Sequence, residues 1–170
     1  IMGREAMDTH FKLVMPILQP RPGQKESKVS LIMKAAKYYI KWVPSLFIPS
    51  SQNYNVKHLS PTNQAYLPYI EKTCRKLAFR LFTTMGKYKE QLEYEQEILA
   101  NFGDIGVDLF AMSTTLAMAE AKLVANPNDS TPNELADLFC KEAMVRIKKN
   151  FQAVKKNHNT DYNRVTDTLM

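Results

Sequence analysis

The chain has 170 residues, 45% hydrophobic and 24% charged, with a net charge of +6. That length suits one domain with a proper core, the composition is ordinary for a soluble globular protein, and five glycines argue against an all-β fold rich in tight turns. The basic balance points to an acidic partner: nucleic acid, anionic lipid or the acidic face of another domain.

Cys74 and Cys140 both fall among apolar residues of helical period. They are expected as buried, reduced thiols in a reducing compartment, the cytoplasm or an organelle matrix. His10, His58 and His158 are scattered and form no zinc motif, so no metal ligand is assigned. The chain opens on Ile1 rather than Met, which reads as a piece of a longer protein or a processed product. Its start lacks the apolar run and small-residue cleavage site of a signal peptide.

Gly3 to Leu18 carries Met7, Phe11, Val14, Met15 and Leu18 on one side of a short helix, which Pro16 is expected to kink or end. PRPG at 20–23 is a break. Ser27 to Val43 then predicts a basic amphipathic helix. At 100° per residue, Lys34, Lys37 and Lys41 lie within roughly 60° of one another. Val29, Ile32, Met33, Ala36, Tyr39, Ile40 and Val43 spread over the opposite side, with Leu31, Tyr38 and Trp42 at its edge. Pro44 stops the helix, and the apolar residues Leu46, Phe47 and Ile48 follow. A helix this short with lysines throughout does not suit a membrane span. Lying in a membrane interface and packing on the rest of the bundle both remain open for it.

Residues 50–59 are a polar linker. Ser60-Pro61 is a helix start, with Ser as N-cap and Pro at the first helical position. Leu67, Ile70, Cys74, Leu77, Leu81 and Met85 follow as a core stripe, and Pro68 is expected to bend its beginning. The polar run after Gly86 leads to the stretch around which the chain is organised. There Ile98, Phe102, Ile105, Leu109, Met112, Leu116, Ala119 and Leu123 recur every three or four residues, the period of a helix. Gly103, Gly106 and several alanines lie beside them. Each glycine costs about 1 kcal/mol relative to alanine, so close packing is expected to compensate. NPNDSTP is a turn, and Thr131-Pro132-Asn133-Glu134 reads as a capping box. The last long helix is predicted to turn Leu135, Leu138, Phe139, Ala143, Ile147, Phe151 and Val154 inward, with Glu142 and Arg146 paired one turn apart.

The fold class is therefore all-α: an up-and-down antiparallel bundle of three long helices, roughly 60–88, 92–125 and 131–157, with an N-terminal amphipathic helical hairpin. Residues 1–59 form the N-terminal segment and 60–170 the bundle.

Three blocks resemble the C-terminal domain of very-long-chain acyl-CoA dehydrogenases: Ser60-Pro61, ANFGDIGVDLFAMSTTLAMAEAKL (Ala100–Leu123) and LFCKEAMVRI (Leu138–Ile147). The likeness covers about residues 58–155. One departure is Met118-Ala119-Glu120, where the family has Ser-Arg-Ala, which changes the local charge. The resemblance implies a domain that follows a flavin-containing dehydrogenase domain and packs on it, in an enzyme that is a homodimer. It implies FAD in the parent enzyme and none in this chain. The catalytic glutamate and the FAD and acyl-CoA contacts belong to the dehydrogenase part, so no catalytic or cofactor-binding residue is assigned here. It also implicates the segment at Val29–Ile48 in peripheral membrane association. Lys34, Lys37 and Lys41 would meet anionic head groups, and Trp42, Leu46, Phe47 and Ile48 would enter the boundary.

The expected function is that of a non-catalytic C-terminal domain of an FAD-dependent long- or very-long-chain acyl-CoA dehydrogenase in fatty-acid β-oxidation. The alternative is a stand-alone helical module whose lysine stripe binds an acidic protein. Nucleic acid is disfavoured, because the basic residues are spread over several helices and no DNA- or RNA-binding motif is present.

Overall fold

The computed structural model describes residues 12–14, 16–17, 26–48, 54, 56–156, 164–165 and 168. Every regular element among them is helical. Helix α1 is Lys28–Ser45, α2 is the single turn Pro61–Gln64, α3 is Tyr66–Tyr88, α4 is Gln96–Ala125 and α5 is Thr131–Lys155. A 3₁₀ helix, Lys89–Tyr94, joins α3 to α4. The fold is an all-α bundle. Residues 12–14 and 16–17 are helical, as the first arm of the predicted hairpin requires. The rest of that arm, the PRPG break and most of the C-terminal tail lie outside the described residues.

Local chemistry sets the ends. The Ser27 hydroxyl accepts from the Ser30 amide at 3.2 Å and opens α1. Pro44 sits in its last turn, and the chain leaves through a tight turn in which Phe47 N donates to Pro44 O. Ser60 caps α2 as expected, accepting from Asn63 N at 3.2 Å. The chain then breaks at Ala65 before α3 resumes. Pro68 accounts for the break. It has no N–H to offer the Gln64 carbonyl, and its ring crowds that carbonyl. Lys89, at φ 51°, ends α3 in the left-handed region. The predicted polar turn beyond it is anchored by Leu92, which is only 1% exposed.

The start of α5 differs from the expected capping box. Ser130, not Thr131, is the N-cap, and its side chain makes no cap hydrogen bond. Its hydroxyl donates instead to the Glu134 carboxylate at 2.7 Å. The Asn133 side chain serves another helix. Its Oδ1 accepts from Ser60 N at 3.0 Å and Asn63 Nδ2 at 2.8 Å, tying α2 to the head of α5.

The core sits on α4. All eight residues of its predicted stripe, from Ile98 to Leu123, are buried. They pack chiefly against α5, where the buried residues are Ala136, Cys140, Ala143, Ile147 and Phe151. Leu135 and Leu138, expected to turn inward, face outward instead, 61% and 57% exposed. The small side chains of Ala136, Cys140 and Ala143 let α5 approach α4 closely, and the larger leucines are left beside the seam.

Helix α3 also departs from expectation. Tyr66, Ile70, Thr73 and Met85 are buried, Leu67, Leu77 and Leu81 only partly, and Cys74 is exposed. Between α3 and α4 runs an open apolar cleft of about 440 Å³, lined by residues that include Cys74, Leu77, Leu81, Phe82 and Phe110. Of the predicted stripe of α3, Cys74, Leu77 and Leu81 therefore border this cleft, whereas Ile70 and Met85 reach the core. Nor do the glycines of α4 meet a close neighbour: a Cβ added to Gly103 or Gly106 would touch nothing within 4 Å.

Candidate functional site

Helix α1 presents three faces. Ala35 is buried and Leu31, Tyr38, Tyr39, Trp42 and Leu46 are half-buried, forming the face turned to the bundle. Tyr39 and Trp42 both lie against the Phe82 ring of α3, with centroids 4.9 and 5.3 Å away. Lys34, Lys37 and Lys41 occupy a second, exposed face. Lys34 reaches Glu26 at 2.6 Å, a surface pair of little energetic weight. A third face is apolar and open: Val29, Met33 and Ile40 are 66–71% exposed. Phe47 and Ile48 continue it beyond the helix end.

The seven residues singled out from sequence thus separate. Lys34, Lys37, Lys41, Phe47 and Ile48 are exposed, whereas Trp42 and Leu46 are half-buried on the docked side. The reason is the width of the apolar surface of α1. It exceeds what α3 covers, so the aromatic half is spent on docking and the aliphatic half stays free. Of the broad apolar face that the sequence predicts, Val29, Ile32, Met33 and Ile40 are the residues left in the open.

Beyond α1 the chain meets α3 at Ile48 and at Tyr54. Arg75 Nη1 donates to the Ile48 carbonyl and pairs with Glu71 at 3.0 Å. The Tyr54 hydroxyl donates to the same Glu71 carboxylate at 2.8 Å. Phe47 stacks edge-on against Phe79, centroids 5.4 Å apart. Further on, the Glu120 carboxylate of α4 accepts from Leu59 N at 2.9 Å, from His58 N, and pairs with His58 Nδ1 at 2.9 Å. Burial pushes the Glu120 carboxyl up, but these hydrogen bonds outweigh it and hold the group below the usual carboxylate range. Glu120 closes the Met118-Ala119-Glu120 stretch that departs from the resembled pattern, and its charge holds the His58-Leu59 backbone.

Two further exposed apolar strips lie on the bundle itself, one on α4 and one on α5. Val107, Phe110 and Met118 are 54–68% exposed and recur at helical spacing along α4, with Gly103, Thr114 and Ala121 on the same strip. On α5, Leu135, Leu138 and Val145 are 57–69% exposed. The signal was present in the sequence, because α4 is hydrophobic around most of its circumference. Between the two helices, Arg146 grips Asp108, which is 9% exposed, through Nη2 at 2.8 Å and Nε at 3.0 Å. The Glu142 carboxylate expected to hold Arg146 is 3.9 Å away.

Both cysteines are free thiols; Cys140 is buried as expected, Cys74 is not. Burial pushes the Cys140 thiol up to about 11. Among the described residues no group of three or more His, Cys, Asp or Glu could hold a metal ion. No helix among them is long and apolar enough to cross a membrane.

Residues 69–168 match the family described as ACAD9/ACADV, C-terminal domain. The chain is also 30% identical over 158 residues to proteins described as probable acyl-CoA dehydrogenase FadE10, from Mycobacterium bovis and from two strains of Mycobacterium tuberculosis. That match covers 92% of this chain and 24% of the relative, so the chain spans about a quarter of the length of the curated relatives it matches. No solved structure matches it.

Proposed function

The chain belongs to the ACAD9/ACADV C-terminal domain family, and on that footing we propose that it is the non-catalytic helical domain of an FAD-dependent long- or very-long-chain acyl-CoA dehydrogenase. Such an enzyme removes two hydrogens from a fatty acyl-CoA in β-oxidation. The domain packs on the dehydrogenase body through α4 and α5 and adds a membrane contact through α1. The parent works as a homodimer in a reducing compartment, at the periphery of a membrane.

The observation that carries this reading is the exposed apolar strip of α4, with that of α5 beside its own helix. Monomeric proteins seldom leave large apolar side chains in contiguous strips, and such strips mark docking faces. Val107, Phe110 and Met118 share their strip with glycine and alanine, so another backbone can come close to α4 there. The three faces of α1 support the membrane part. Once its aromatic face is docked, an aliphatic ridge remains beside a lysine row, the arrangement of a helix that lies in an interface.

The α3–α4 cleft is not suited to the flavin. The α3–α4 cleft offers Cys74 and Ser113 among leucine, phenylalanine, alanine and glycine. That donor set does not fit a dinucleotide with two phosphates, so FAD is assigned to the dehydrogenase body.

Purification of the full-length polypeptide tests the reading. It should carry bound FAD and oxidise long-chain acyl-CoA, and Phe110→Asp with Leu138→Asp should expose the domain to limited proteolysis. A full-length protein that folds without flavin, or that is indifferent to those substitutions, would count against it.

A further inference from the structure

The basic residues of the bundle, dispersed in sequence, gather in space. Helix α3 carries five cations, Lys72, Arg75, Lys76, Arg80 and Lys87, against the single acid Glu71, which is already taken by Arg75 and Tyr54. The stretch of α5 and its end from Ala143 to Lys156 has five cations and no carboxylate. Lys72, Lys76 and Arg80 are spaced four apart and therefore stand as a ladder on one side of α3. Lys76 Nζ sits 4.1 Å from the centroid of Phe151 of α5, and Lys155 lies one turn beyond that ring. Four cations thus meet where α3 faces the end of α5. None of the four has an ion-pair partner among the described residues. The crowding has a cost: burial lowers the Lys76 ammonium pKa below its usual value, and Arg80, Lys155 and Lys72 lower it further.

Like charges held together without counter-charges call for an anion of more than one charge. The neighbourhood indicates which. Phe79 is three residues from Lys76 and seven from Lys72, hence on the same side of α3, and it carries the ring of Phe47. Phe47 and Ile48, 66% and 64% exposed, therefore form an apolar tip beside the ladder. Cations next to an exposed apolar tip match a phosphate headgroup with acyl chains below it.

We propose that Lys72, Lys76 and Arg80 of α3 together with Lys155 of α5 form a phosphate-binding site for the headgroup of an anionic membrane lipid. This site is separate from the lysine row of α1, and it rests on the membrane reading given above. It gives the domain a second electrostatic anchor, placed on the rigid bundle rather than on the appended helix.

Co-sedimentation of the intact chain with phosphatidylcholine vesicles, and with vesicles that also contain phosphatidylglycerol, tests the site. The expected result is binding that favours phosphatidylglycerol and is weakened about tenfold or more by K72Q/K76Q/R80Q/K155Q. Phe47→Ser with Ile48→Ser should weaken binding to both vesicle types. Should the fourfold variant not fold by circular dichroism, Lys72→Glu with Lys155→Glu, both exposed, takes its place. Unchanged binding in the ladder variants overturns the site and leaves the membrane reading standing. No sedimentation of the wild type, or no preference for the anionic vesicles, removes the membrane reading and this assignment with it. Calorimetry with inorganic pyrophosphate separates the sources: a ladder saturated by pyrophosphate without effect on vesicle binding is a site for soluble phosphates. Tighter binding to a single-stranded oligonucleotide than to the vesicles overturns the lipid assignment in favour of nucleic acid.

Discussion

Asp108 of α4 and Arg146 of α5 are joined by three hydrogen bonds, from Nη2 and Nε to Oδ1 at 2.8 and 3.0 Å and from Nε to Oδ2 at 3.3 Å, across the most extensive helix–helix interface among the described residues. The carboxylate side chain is 12% exposed and the guanidinium 45%, so the pair is wet on one side only. Arg146 also lies over the Phe139 ring at 5.6 Å. The pair fixes the register of α4 against α5, because sliding either helix by one turn would strand a buried carboxylate.

Arg146→Met should therefore destabilise the chain by roughly 2–4 kcal/mol, because Asp108 is left buried without its cation. Glu142→Gln should change stability by less than about 0.5 kcal/mol. Urea-unfolding midpoints check both, and the double variant Asp108→Asn/Arg146→Met should recover part of the loss.

Glu120 makes stability depend on acid. Its carboxyl is held below its ordinary value of 4.5 in the folded chain. A depressed pKa contributes stability that is complete above the unfolded value and is lost as pH falls through the folded value. Glu120→Gln should cost about 1–2 kcal/mol near neutral pH, and the difference from wild type should shrink on titration below about pH 4.5. Denaturant midpoints as a function of pH supply the test.

The two thiols should differ in access. Cys74 is exposed on the cleft, whereas Cys140 is 0% exposed with its thiol pushed up to about 11. Iodoacetamide should alkylate Cys74 first and Cys140 only with unfolding, as peptide mass spectrometry would show. Equal rates under native conditions would contradict the packing of α5.

Substitutions on opposite sides of α4 should have opposite consequences. Met112 is fully buried, and Met112→Ala should cost about 2–5 kcal/mol. Phe110, 68% exposed, should tolerate Phe110→Ser within about 0.5 kcal/mol in the isolated chain. Thermal unfolding of the two variants compares them directly.

Much of this architecture could be read before any coordinates. The stripe from Ile98 to Leu123 was legible because a core helix repeats its large side chains at a fixed period. The Ser60-Pro61 start was legible because capping is local chemistry. Residues 131–147 were harder. Periodicity weights large side chains, and it drew Leu135 and Leu138 inward, while the interface selected Ala136, Cys140 and Ala143 for their small size. On α1, lysine spacing located one face correctly as exposed. It could not tell which part of the apolar arc meets Phe82, because that depends on a partner helix some forty residues away. Asp108 with Arg146, and Glu120 with His58, are long-range pairings of the same kind, without a local signature.

Gly103 and Gly106 have open space where a side chain would stand. Alanine at either position would favour the helix by about 1 kcal/mol and collide with nothing among the described residues. The free domain is therefore less stable than its own backbone permits, and simple substitutions would improve it. If α4 docks on the dehydrogenase body as proposed, these two positions are where an approaching backbone meets no side chain, and filling them with alanine trades that room for stability of the free domain.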